Sequence, residues 1–517
     1  MTMISKNAPC PCGSGKKFKR CCGEKNSAAQ KTAPAASAQR PFNVSLWAGL
    51  LIAAVGLFYL GTLRQGHDWG GDNCQYVLHA RNLAEGKPYK DTGMIYNPLS
   101  PVFPETYPPV FPALLVPLYK AFGLVFTPMK TALIFVFLAV IWLLFLFYRR
   151  TLSPPYLLGL LALIGFNPAF WNFKDYVFSE IPFLFWVGLI LLLTQKRESA
   201  KNVREDCLWG LLTGLVSYLA YGTRAVGLFI LPALLVYDLI RYRKIRWGTL
   251  VALAAFAPLA LAQNFSFHSE AVHLKYKTAR ASFETFRENV FHNYPYQFAA
   301  LWNGGFHSMP SFLLVLFLFV LVVYGYFIRV RRAFSLVEIL VPGYLLLFLF
   351  ITFADTIPNY RYFLPVSPFL AAYAVTGIER LGFFDTALKN TIFALGIFSV
   401  IFVSYGFVYS KMEWNAFSNG IDGPQEKQVY EFIRKNTAPD DIFIFWDPRI
   451  IVFYTGRRCG QYDMAHFNSE RLAYYEKIGA RYWVSPRNLL PDLSRVLREV
   501  YSNGKYYVYR IENYRLK

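Results

Sequence analysis

The sequence predicts an α-helical polytopic membrane protein with about eleven transmembrane helices and a C-terminal α/β domain outside the bilayer. Three observations carry this. Of 517 residues, 55% are hydrophobic and 16% charged, whereas a soluble protein carries about 25% charge. Long apolar runs recur from Leu46 to Tyr409. Beyond residue 410 the chain turns charged and tyrosine-rich, with no run long enough to cross. Much of the net charge of +21 sits beside the apolar runs. It therefore reads as topology determinants and contact with anionic membrane lipids, not as nucleic-acid binding.

Residues 1–26 are rich in cysteine and lysine, and 27–43 form a flexible Ala/Ser/Gln linker. Neither has the apolar core or cleavage site of a signal peptide. Residues 44–410 hold the spans, expected near 44–62, 128–148, 155–172, 177–194, 207–222, 225–240, 247–264, 310–328, 336–353, 363–378 and 391–410. The segment "YPPVFPALLVPLYKAFG" at 107–123 is apolar but short, and Pro108, Pro109, Pro112 and Pro117 interrupt it. A span needs about 20 residues, and proline removes helix hydrogen bonds. With this segment re-entrant or juxtamembrane, the basic loops fall on one face. They are Arg149–Arg150, "QKRESAKNVRED", "RYRKIR" at 241–246, "RVRR" at 329–332 and the loop with Arg380 and Lys389. That is the positive-inside pattern, with a cytoplasmic N-terminus and the C-terminus outside. The outer face then carries the first loop (63–127), a loop at 265–309, short turns near 173–176, 223–224 and 354–362, and residues 411–517.

Four of the seven cysteines, Cys10, Cys12, Cys21 and Cys22, lie in "PCPCGSGKKFKRCCG". Four thiolates suit a tetrahedral structural zinc site, and Gly13, Ser14 and Gly15 let the chain turn so that both pairs converge. A redox cluster or a chance run of cysteines is the alternative. The stretch resembles the SEC-C zinc motif at the tail of the SecA translocation ATPase. Reduced thiols need the cytosol, in agreement with the topology. The motif reads as a docking element, and the resemblance implies the translocation machinery or the ribosome as partner. Cys74, Cys207 and Cys459 are scattered and form no disulfide framework.

On the outer face, "GGDNCQYVLHARNLAEGKPY" (70–89) opens with Asp72. The segment 107–123 follows, then "YVFSEIPFLFWVGLILLL", "YGTRAVGLFILPALLVY" and "NYRYFLPVSPFLAAYA". In this order the five segments resemble the GT-C glycosyltransferases over residues 44–380. Within that group they resemble the polyprenyl-phosphate-sugar branch, with protein O-mannosyltransferases and the lipid A aminoarabinose transferase. The resemblance implies an inner-membrane enzyme that moves a sugar from a polyprenyl-phosphate-linked donor to a hydroxyl acceptor on the periplasmic face. The acceptor class stays open between lipid, glycan and protein. A hydroxyl is a weak nucleophile and needs a carboxylate to take its proton; the departing phosphate needs fixed cations.

Asp72 is the expected general base, with helix N-capping as a compatible alternative role. Glu180 opens the fourth span, where it either orients a substrate or compensates the helix dipole. Arg224 opposes the topology rule, which phosphate binding explains; snorkelling to head groups is the alternative. Arg361 and Tyr362 are expected at the donor phosphate too, with an Arg361–Asp355 salt bridge as the alternative. Lys174 and Asp175 read as a simple pair. Aminoarabinose transferases carry a lysine just before the Pro-Pro pair, where this chain has Tyr107. The paired Asp-Glu of the protein mannosyltransferases is also missing, since Asn73 follows Asp72. His268, His273, His292 and His307 have no convincing ligand spacing, so no catalytic metal is expected.

In 411–517, "QEKQVYEFIRKNTAPDD" and "SERLAYYEKIGA" read as helices, and "IFIFW", "IVFYTG", "RYWVS" and "YYVYRIE" as strands. This periplasmic α/β domain shows no nucleophile or metal cluster and reads as a lid. Two other functions compete: a flippase for lipid-linked saccharide, and a non-catalytic envelope assembly factor. A transporter would show internal repeats and mid-membrane charges, and neither is evident.

Overall fold

The computed structural model of the protein describes residues 43–68, 70–99, 105–267, 283–303, 308–350, 361–381, 386–417, 420–462, 469–489 and 493–514. It is a multi-pass membrane protein. Six helices among these residues are long and apolar enough to cross a bilayer: Val44–Gly61, Phe126–Tyr148, Ala225–Tyr242, Trp247–Phe267, Met309–Arg332 and Leu388–Tyr409. At 1.5 Å per residue, even 18 residues reach about 27 Å. Glu180–Glu198 and Val203–Thr223 have the length but carry charged ends.

The sequence predicts one span over 155–172, but the chain breaks there into Pro154–Gly165 and Pro168–Phe173. The cause is the pair Asn167–Pro168. A residue before proline is driven out of the α region, and Asn167 adopts extended backbone. Its side chain then caps the second helix, accepting from Ala169 N at 2.8 Å. The same amide donates to Leu301 O at 2.9 Å and Tyr405 Oη at 2.8 Å, which ties the break to two distant segments.

The proline-rich segment folds as Val110–Phe122, 13 residues and about 20 Å, short of a crossing. It packs against the helix Asp72–Glu85, with Phe111 edge-on to Tyr76 at 4.8 Å. Val203–Thr223 and Trp247–Phe267 approach backbone to backbone. A Cβ at Gly210 or Gly214 would overlap the carbonyls of Gly248 and Ala252. Small residues four apart let helices approach this closely in a membrane.

The C-terminal layer is a six-stranded sheet in the order β1-β3-β2-β4-β6-β5. The strands are β1 (Met94–Ile95), β2 (Ile442–Phe445), β3 (Cys459–Gln461), β4 (Ala480–Ser485), β5 (Leu497–Ser502) and β6 (Tyr507–Ile511). The pairs β1–β3, β3–β2 and β2–β4 are parallel; β4–β6 and β6–β5 are antiparallel. Ile444, Leu472, Tyr475, Trp483 and Tyr509 form its core. Strand β1 comes from the first loop, so that loop and the C-terminal segment share one sheet. Asn97 Nδ2 donates to Gln461 O at 3.1 Å, and Tyr474 Oη donates to Tyr96 O at 2.8 Å, extending the join.

The expected strand "IVFYTG" is a helix, Pro448–Thr455. Asp447 caps it, Pro448 takes the first turn, and Gly456 ends it at φ 71°. The apolar run misleads because Ile450, Ile451 and Val452 are all buried. A helix covered on every side loses its polar stripe.

Candidate active site

The helix Asp72–Glu85 carries the site. Its buried residues include the polar Asn73, Gln75, His79 and Asn82, and three of these anchor the helix through hydrogen bonds. Asn73 Oδ1 accepts from Val177 N at 2.6 Å, and its Nδ2 donates to Gly70 O at 2.8 Å. Asn82 Nδ2 donates to the carbonyls of Pro88 and Asp91, each at 3.0 Å. His79 Nδ1 lies 2.9 Å from Tyr89 O. Burial lowers the His79 pKa to about 4, so the ring is neutral near pH 7. These bonds fix where the first residue of the helix points.

That first residue is Asp72. Gly71 occupies the cap, with no side-chain capping bond, so the N-cap alternative fails. Charged donors hold the carboxylate instead, and charge-assisted bonds are about twice as strong as neutral ones. Asp72 Oδ2 accepts from Arg361 Nη1 at 2.8 Å. Its Oδ1 accepts from Arg449 Nη1 at 2.6 Å and from Tyr107 Oη at 2.7 Å. Burial alone would raise its pKa, but Arg361, Arg449 and the Tyr107 bond outweigh it and hold the carboxyl well below the usual range.

Glu180 lies beside it. One oxygen, Oε1, pairs with Arg224 Nη1 at 2.7 Å and with Arg361 Nε. The other, Oε2, is buried with no hydrogen-bond partner among the described residues. Arg361 therefore bridges the two carboxylates, and its guanidinium lies 4.1 Å from the centre of the Phe178 ring. Arg224 Nη1 also donates to Ser179 Oγ at 3.0 Å, and Ser179 Oγ lies 2.9 Å from Tyr76 Oη. Arg224 thus turns inward, against the snorkelling alternative.

Four expected residues, Asp72, Glu180, Arg224 and Arg361, meet in one cluster. Tyr362 sits one residue from Arg361; its ring packs on Phe348 at 5.4 Å and its carbonyl accepts from Tyr344 Oη at 3.0 Å. Asp355, the alternative partner of Arg361, lies outside the described residues, as do Cys10, Cys12, Cys21, Cys22, His268, His273 and His307. His292 lies in a π turn, Asn289–Asn293. No group of three His, Cys, Asp or Glu among the described residues could hold a metal ion.

Lys174 and Asp175 pair at 2.5 Å, and Arg64 Nε joins the same carboxylate at 2.6 Å. Burial lowers Lys174 to about 8 against the opposing pull of Asp175. The expectation of a simple pair thus grows into a buried three-residue cluster.

Sequence reasoning missed Arg449. It is 3% exposed and lies 377 positions from Asp72. Asp447 grips it through Oδ1 to Nε and Oδ2 to Nη2, both at 2.8 Å. Arg449 Nη1 also donates to Tyr107 Oη at 3.3 Å. No local pattern in the sequence announces it, because the contact forms only once the C-terminal segment has packed against the first loop. The named ion pairs set three guanidiniums, on Arg224, Arg361 and Arg449, against three carboxylates, on Asp72, Glu180 and Asp447. Such a set can bind an anion by exchanging carboxylate for phosphate, and it can accept a proton at a carboxylate freed by that exchange.

The fold is the GT-C fold of membrane glycosyltransferases. ArnT from Cupriavidus metallidurans, solved bound to undecaprenyl phosphate, is 14% identical. That likeness covers 90% of this chain and 98% of ArnT, with a TM-score of 0.54. The archaeal oligosaccharyltransferase AglB from Archaeoglobus fulgidus was solved with an inhibitory peptide and a dolichol-phosphate. It is 12% identical over 91% of this chain and 75% of its own, with a TM-score of 0.57. An A. fulgidus oligosaccharyltransferase tethered to an acceptor peptide is 13% identical over 85% and 69%, with a TM-score of 0.59. At these identities the likeness is one of fold. Residues 7–24 match the SEC-C motif. The uncharacterized protein YccF of Bacillus subtilis is 68% identical over 25 residues, 5% of this chain and 7% of that protein.

Proposed function

We propose that this protein is a glycosyltransferase of the bacterial inner membrane. It moves a sugar from a polyprenyl-phosphate-linked donor to a hydroxyl of a lipid, glycan or protein on the periplasmic face. The observation that carries this reading is the convergence of Asp72, Glu180, Arg224 and Arg361 from four distant segments. The undecaprenyl phosphate bound to ArnT and the dolichol-phosphate bound to AglB support the donor class.

In this reaction the acceptor oxygen attacks the anomeric carbon of the donor. Its O–H bond breaks and the proton passes to Asp72. The bond from the anomeric carbon to the phosphate oxygen breaks, and its electron pair leaves with the polyprenyl phosphate. Arg224 and Arg361 take up the developing charge, and Tyr362 helps to seat Arg361. Glu180 aligns both guanidiniums through Oε1 and offers Oε2 to a substrate hydroxyl. A carboxylate held as low as Asp72 is a weak base. A donor phosphate that draws Arg361 away relieves that hold and raises the pKa, so the base forms when the donor is bound.

Residues 7–24 match the SEC-C motif, and we propose that its four cysteines would hold a structural zinc ion on the cytoplasmic side. The test of the main reading uses purified protein in lipid nanodiscs with a labelled polyprenyl-phosphate sugar and membrane extract as acceptor. Release of polyprenyl phosphate is expected from the wild type. Asp72→Asn should release at least about 100-fold less. It should bind undecaprenyl phosphate at least as tightly as the wild type, because an anionic competitor for the arginines is gone. Undiminished turnover in Asp72→Asn removes Asp72 as the base.

A further inference from the structure

Arg449 is buried, yet its charge is already answered. Asp447 takes two of its N–H groups in a bidentate fork, the strongest pairing a guanidinium makes. The remaining edge, Nη1, is not needed for that neutralisation, and it is the edge that reaches Asp72 and the Tyr107 hydroxyl.

Backbone geometry keeps a slot for this approach. A Cβ at Gly71 would overlap the carboxylate of Asp447 and would lie 2.6 Å from Arg449 Nε. Gly71 itself has φ −59°, which any residue adopts, so conformation does not demand glycine here; space does. The helix Pro448–Thr455, which carries Arg449, is pinned in turn. A Cβ at Gly93, just before β1, would run into the Val452 side chain.

We propose that Arg449 is a donor-phosphate ligand supplied by the C-terminal domain, and that it exchanges Asp72 for the lipid phosphate as the donor enters. The domain is then a working part of the site and not only a cover. This rests on the reading of Asp72 as base and of the guanidiniums as phosphate ligands. The exchange completes the release of the base, since Arg361 and Arg449 hold different oxygens of Asp72. The other groups that bear on the Asp72 carboxyl are Tyr107 and, through charge, Asp68 and Tyr76.

The test titrates undecaprenyl phosphate into full-length protein in nanodiscs and follows kcat/KM against pH. Three variants are compared: Arg449→Gln, Arg449→Lys, and Gly71→Ala, which displaces the pair without removing charge. Arg449→Gln and Gly71→Ala should each weaken binding about tenfold or more, and Arg449→Lys should recover part of the loss. In Arg449→Gln the acid limb of kcat/KM should move up toward the ordinary carboxylate range at about 4, because one cation has left the base. A merely structural residue would not move that limb. If Arg449→Gln does not fold, the lysine and Gly71→Ala variants carry the comparison. Wild type that binds, with Arg449→Gln and Gly71→Ala binding equally and an unmoved acid limb, overturns this inference alone. Wild type that does not bind the lipid phosphate overturns the proposed function and this inference with it.

Discussion

Asp72 and Arg361 set the behaviour of the site at the level of single side chains. Each is ion-paired to two others, so a change at one is felt by all. Asp72→Asn leaves Arg361 and Arg449 one carboxylate short, and the expected cost is about 3 kcal/mol or more at neutral pH. Because the folded pKa of Asp72 is depressed, its contribution is present above the unfolded value of about 3.9 and is lost as pH falls toward the folded value. The melting temperatures of wild type and Asp72→Asn should therefore differ at pH 7 and converge below about pH 4. Arg361→Gln should weaken undecaprenyl phosphate about 10- to 100-fold in a binding titration, the worth of one or two charge-assisted bonds.

At the level of elements, close helix packing positions the cations. Arg224 follows directly on the helix Val203–Thr223, whose Gly214 lies against the Ala252 carbonyl. Gly214→Val pushes backbone against backbone, where neither side can yield. The expected cost is about 1–3 kcal/mol in thermal unfolding, with weakened lipid-phosphate binding because Arg224 moves with its helix. Gly49→Ala is the control, since nothing among the described residues lies within 4 Å of a Cβ there. It should not lower the unfolding temperature or weaken lipid-phosphate binding. Asn167→Ala removes a cap and two cross-links, and about 1–2 kcal/mol of stability is expected to go with them. Asn167–Pro168 was readable as a break in the sequence; the apolar run around it masked the signal. The helix at Pro448–Thr455 was masked in the same way, although Asp447, Pro448 and Gly456 are its start and stop signals.

For the whole molecule, the shared sheet joins the first loop to the C-terminal segment through β1. Two residues of strand carry no periodicity, so nothing in the sequence could announce that join. The N-terminal motif is a separate matter. Elemental analysis of the full chain is expected to find the proposed zinc, and a chain lacking residues 1–26 is expected to have none. It should keep turnover and lipid-phosphate affinity within about twofold, since structural zinc stabilises only the segment that binds it.

Composition and order were enough to fix much of this protein. The apolar runs name a multi-pass membrane protein, and the resemblance of five ordered segments implies the GT-C fold and roles for Asp72, Glu180, Arg224, Arg361 and Tyr362. The proximity of the first four, and the arrival of Arg449 on the same carboxylate, were decided only in three dimensions. Hydrophobic burial acts through local periodicity and so leaves its mark along the chain. An ion pair between residues 377 positions apart leaves none, because its geometry exists only once helices and sheet have packed.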